Sequence, residues 1–186
     1  AYKINIYVGD SGPNAPEIYS APAYQTNDRE GVPMIVMSDS LINSYGANTA
    51  VHEFQHAAQA ASRYSYTGAG TWYFEATASW IEVEVYPDDP VYAEMLFGYT
   101  FFPHLALNFF DYPDEGTLVE FHQYGAFIFP RYLTEHIGDW SIIRESWLET
   151  GGEQDPLVVL DGILKQHHYP QAAAPLAAAT PPLTAL

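Results

Sequence analysis

The stretch His52-Glu53-Phe54-Gln55-His56 constrains this chain more than any other. It is an HExxH pentapeptide. On an α-helix, residues four apart lie on one face, about one turn from each other. Two imidazoles so placed can offer ring nitrogens to a single zinc ion. The Glu53 carboxylate between them falls beside the metal, where it can take a proton from an attacking water. The pentapeptide therefore asks for a helix with one face toward the core and an adjacent face open to a cleft.

Two histidines do not complete a catalytic zinc site, which usually has three protein ligands. The third donor has to come from another element. Glu75 is the best candidate, with eighteen residues between it and His56. It opens a second apolar, helix-compatible stretch. The intervening loop through Gly68 and Gly70 is long enough to set the two helices antiparallel. Glu75 would then face His52 and His56.

These residues resemble the zinc-binding core of gluzincin metallopeptidases. The context Trp72-x-x-Glu75-Ala76-x-Ala78 is similar to the second helix of the gluzincin aminopeptidases, W-x-x-E-G-x-A, which carries another Glu seven residues on. Glu82 stands at that place here. The uncharacterised secreted bacterial metalloproteases with a W-x-x-E-A-x-A-x-W-x-E helix are closest in overall pattern. The resemblance spans residues 48–85 and, more loosely, 120–138. It implies zinc on His52, His56 and Glu75, with Glu53 as general base. It also implies an oxyanion donor from a later helix, and Phe121-His122-Gln123-Tyr124-Gly125 is the matching string. His122, three residues before the glycine, takes precedence there over Tyr124. The strand before the zinc helix, residues 33–38, is by resemblance the sheet edge where a peptide docks.

Three departures stand out. Ala76 replaces the glycine that commonly follows the ligand Glu. Ser79 stands where thermolysin-like enzymes place an Asp that orients the first histidine, which leaves Glu82 or a backbone carbonyl for that task. No G-x-M-E-N motif precedes the zinc helix, so the motif that binds a free substrate amine in the aminopeptidases is missing. The expected activity is zinc-dependent hydrolysis of peptide bonds, by an endopeptidase. A zinc-bearing binding module without turnover and a zinc hydrolase of non-peptide amides or esters are the alternatives.

The 186 residues suit one domain, residues 1–169, followed by an Ala/Pro-rich tail or linker at 170–186. A chain 48% hydrophobic and 16% charged folds as a globule. Six Lys and Arg against 23 Asp and Glu give a net charge of −17, which argues against nucleic acid and anionic membranes as partners. The expected partner is a peptide or protein substrate, and the oligomeric state is open. With no cysteine there is no disulfide. No apolar run is long enough to span a bilayer. Fifteen tyrosines and few lysines, with the resemblance, point to a secreted or extracytoplasmic bacterial protein in a mature or trimmed form.

In chain order, Tyr2 to Val8 alternates as a strand, residues 24–30 hold a short extended piece, and Pro33 to Ser38 reads as a compact apolar strand. The zinc helix is expected from Asn48, as N-cap, to Ser62. Its core stripe would be Val51, Phe54, Ala58 and Ala61. A second helix follows at 72–85, with Thr71 as N-cap. Residues 91–110 are helical in part. A third long helix runs over 119–137, kinked at Pro130. Asp139 and Asp155 cap two more helices. The fold class is α+β: a small mixed sheet, then a helical subdomain, with the zinc cleft between them. By resemblance it is zincin-like.

Overall fold

The computed structural model describes residues 4–9, 23–42, 45–62, 68–111, 117–149 and 154–167, with 91 and 92 as backbone alone. The expected tail at 170–186 lies outside them, as does most of the loop between the helix bearing His52 and the next. Three strands come first: β1 (Asn5–Gly9), β2 (Ala23–Asn27) and β3 (Pro33–Ser38). Helices follow: α1 (Asp39–Ile42), α2 (Gly46–Ala61), α3 (Thr71–Val85), α4 (Val91–Phe101), α5 (Phe121–Gly125), α6 (Ile128–Tyr132), α7 (Trp140–Glu149) and α8 (Pro156–Gln166). The architecture is α+β, a small mixed sheet with a mainly helical remainder.

The sheet order is β1-β3-β2, with β1 parallel and β2 antiparallel to β3. This corrects the expectation for residues 33–38. β3 is the central strand, and β2 is the edge beside α2. The reason is visible in the composition of β3. Ile35, Val36 and Met37 are all buried, as a strand with both neighbours and both faces covered requires. Ile35 and Met37 pack with Ala23, Leu41 and Ala50, which seats the sheet on α2.

The larger core surrounds α3. Every residue from Thr71 to Trp80 is buried. A helix buried on every side over this run belongs in the middle of a fold. Trp72, Trp80 and Val83 join Phe127, Leu133, Ile143, Trp147 and Leu160 in one cluster. In α3 the N-cap is Gly70 rather than Thr71, whose hydroxyl donates to the Gly68 carbonyl at 2.8 Å.

In α2 the expected faces are exchanged. Phe54 is 55% exposed, and Ala58 and Ala61 face solvent, while Glu53, His56, Ala57 and Gln59 are buried. Asn48 lies inside the helix, not at its N-cap. The polar face turns inward because its hydrogen-bonding groups find partners on α3, so burial leaves few of them unpaired. Partner numbers fall along α3 as they rise along α2 (His52 with Glu82, Gln59 with Phe74), so the two helices run antiparallel.

The expected helix over 119–137 is broken into four pieces. A 3₁₀ turn (Leu118–Glu120) leads into α5, a turn at Ala126–Phe127 separates α6, and a π turn closes it at Leu133–Ile137. Pro130 sits in the first turn of α6, where its missing N–H costs nothing, so the chain restarts rather than kinks. α4 and α5 meet backbone to backbone. A Cβ on Gly98 would fall 2.1 Å from the Phe121 carbonyl carbon, and one on Gly125 2.6 Å from the Met95 oxygen. That approach sets Glu94 and Met95 beside Phe121 and Tyr124. At the far end, Asp139 and Asp155 accept from the N–H groups of Ser141 and Leu157, as expected of caps. No helix among the described residues is long and apolar enough to cross a membrane.

Candidate metal centre

α2 presents His52 and His56 one turn apart, and antiparallel α3 presents Glu75 opposite both. The Glu75 Oε2 is 3.1 Å from His52 Nε2 and 3.5 Å from His56 Nε2. One donor atom from each of the three residues lies within 4.8 Å of the others. The imidazole rings meet edge to face with centroids 4.6 Å apart. His56 also stacks flat on Phe74, at 4.1 Å and 6°.

The outward nitrogens settle which atoms face inward. His52 Nδ1 donates to Glu82 Oε1 at 2.6 Å, since a carboxylate can only accept. His56 Nδ1 lies 2.7 Å from Gln59 Oε1. The Gln59 amide nitrogen donates to the Phe74 carbonyl at 3.0 Å and to Thr77 Oγ1 at 2.8 Å. Thr77 in turn donates to the Tyr73 carbonyl. The Gln59 amide is therefore fixed with its oxygen toward His56, and His56 Nδ1 carries the hydrogen. Both Nε2 atoms then face the Glu75 carboxylate, where a proton on an imidazole or a metal cation can sit between them, and the donor set of two imidazoles and one carboxylate suits a divalent metal ion.

The electrostatics agree. Burial works against a charged His52, yet hydrogen bonds to Glu75 and Glu82 outweigh it and hold the imidazole well above its usual pKa. Burial would raise Glu75, but His52 and His56 overcome it and hold the carboxyl far below the usual carboxylate range. Both shifts express the demand for positive charge at this point. Glu53 differs. Burial lifts its pKa, and the opposing pulls of His52, His56 and a backbone hydrogen bond from Gln25 on β2 do not cancel the rise.

His52 opens on a cleft of about 390 Å³. Its wall includes His52, Glu53, Glu82 and Tyr124, with Ala23 of the edge strand β2. The Tyr124 ring is 6.0 Å from that of His52. His122 is elsewhere. It is fully buried between the rings of Tyr99 and Phe109, at 5.3 and 5.8 Å, and is not on the cleft wall. On a short helix, positions two apart face different ways, so only one of the two could reach the cleft. Of the six residues singled out in the sequence, five gather here and His122 does not.

Sequence reasoning did not assign Gln59 a role at the centre. Its signal was its place three residues after His56, on the same helical face. Glu82, offered there as one option for holding the first histidine, makes that contact.

No curated protein and no solved structure matches the chain. A family model does, over residues 1–171. The chain belongs to a family of unknown function, DUF6055.

Proposed function

We propose that this protein is a zinc-dependent peptidase with a zincin-like site, cleaving within peptide chains. One observation carries the reading: two imidazole nitrogens and a carboxylate oxygen converge, with each outward nitrogen already donating to its own side-chain acceptor. Residues His52, His56 and Glu75 would hold the ion. When bound, zinc supplies a Lewis acid that polarises a carbonyl and lowers the pKa of water.

The chain's own groups do the rest. Glu53 takes the proton from the attacking water and passes it to the leaving amine. A carboxyl raised by burial is better matched to that task than a solvated one. Tyr124, on the same cleft wall as His52, would donate its hydroxyl hydrogen to the developing oxyanion. Glu82 and Gln59 hold the two imidazoles in the tautomer that leaves Nε2 free. β2, an edge strand beside α2, offers backbone groups along which an extended peptide can lie.

The test is cleavage of a mixed peptide library by the zinc-loaded protein, read by mass spectrometry, with Glu53→Gln as the blank. Internal cuts are expected, reduced about 100- to 10,000-fold in the blank. No cuts with zinc bound, or equal cuts in the blank, overturn the reading.

A further inference from the structure

The cleft wall has a second chemistry besides the metal centre. It carries Glu94 from α4 and Glu120 from the 3₁₀ turn before α5, brought there by the backbone contact of α4 with α5. Neither enters an ion pair among the described residues. Glu82 on the same wall is committed to His52. Among the described residues no lysine or arginine lines the cleft. The same wall carries the apolar side chains of Leu41, Met95 and Phe121.

An independent feature points to a ligand there. Asn48 sits one turn before His52 on α2 and lines the same cleft. It is only 5% exposed, yet its side-chain amide makes no hydrogen bond among the described residues. An amide this far enclosed on a cleft wall is free to pair with a ligand there.

We propose that the cleft selects substrates bearing a lysine or arginine side chain beside the bond to be cut. Glu94 and Glu120 face the charge. The Asn48 carbonyl accepts a hydrogen bond from the ammonium or guanidinium. Leu41, Met95 and Phe121 take the aliphatic stem. The chain's charge of −17 adds long-range attraction for such substrates. This assignment of substrate class rests on the peptidase reading for its biological meaning, but its test is a binding experiment.

The experiment measures affinity of the zinc-loaded Glu53→Gln protein for blocked peptides, acetylated and amidated, that differ only in one internal residue. Arginine is compared with citrulline, and lysine with norleucine. The charged peptide should bind at least about 10-fold tighter. The difference should shrink in Glu94→Gln/Glu120→Gln and as salt is raised. Asn48→Leu should weaken the charged peptides more than the neutral ones, with circular dichroism confirming that each variant is folded. Equal affinity for charged and neutral peptides overturns the proposal. So does preference for a free amino terminus alone, which would assign the carboxylates to that amine. Charge-selective binding without cleavage by the unsubstituted protein would sink the peptidase reading and leave the cation site standing.

Discussion

His56 donates its Nδ1 hydrogen to Gln59 Oε1 at 2.7 Å, and a buried chain of hydrogen bonds through Thr77 prevents the amide from turning round. The orientation of a candidate ligand is thus set by a residue that never touches the ion. Gln59→Leu should lower zinc affinity about 10- to 100-fold, the usual cost of losing such a partner. Competition with a chromophoric chelator reads this out. Affinity unchanged within a factor of two would mean that Phe74 stacking alone holds the ring.

Zinc should stabilise the fold, because the ligands come from two helices that unfolding separates. With free zinc about 1,000-fold above its dissociation constant, linkage gives about 4 kcal/mol. For a chain of this size each kcal/mol moves the melting midpoint about 2–4 °C. A rise of about 8–16 °C is expected, reversed by chelator and absent in Glu75→Ala. A calorimetric scan with and without zinc is sufficient to check it.

The pentapeptide and Glu75 were legible because their geometry depends only on helix period and chain length. What packs against what was not. The apolar period of α2 put Phe54 inward, but its polar residues go inward because α3 supplies partners that no local window contains. β3 reads as an edge strand only if the sheet order is assumed, and order is a long-range property. His122 and Tyr124 are two residues apart on a helix broken at Ala126. Which one reaches the cleft depends on α5 being set by Gly98 and Gly125, contacts between segments distant in sequence.

Those glycines give a paired prediction. Gly98→Ala drives a methyl group into the Phe121 carbonyl and should cost about 1–3 kcal/mol while displacing the cleft wall. Gly162→Ala, at an exposed position of α8 with nothing within 4 Å of the new Cβ, should stabilise by about 0.5–1 kcal/mol. Urea midpoints for both variants decide it. A neutral Gly98→Ala would show that α4 and α5 separate freely.

His122 gives the fold a pH dependence separate from the metal. Burial holds this imidazole below its ordinary value of 6.5, more strongly than the Phe109 backbone pulls it up. The unfolded chain therefore binds a proton that the folded chain refuses. Its contribution is intact above about pH 6.5, declines as pH falls through that value and levels off below the folded pKa. Chelator-treated protein and its His122→Leu variant, compared by urea denaturation between pH 7.5 and 5, should differ in slope, the variant losing less stability. Parallel curves would place the proton uptake at another group.

The most direct test of the account is X-ray absorption at the zinc edge, on protein loaded with one equivalent of metal. The account predicts one tightly held zinc per chain. Its shell should hold two imidazole nitrogens and oxygen at about 2.0–2.2 Å, with one imidazole lost in His52→Ala or His56→Ala and the site emptied in Glu75→Ala. A zinc that stays bound in Glu75→Ala with its shell unchanged, or a protein that keeps no zinc through gel filtration, would contradict it.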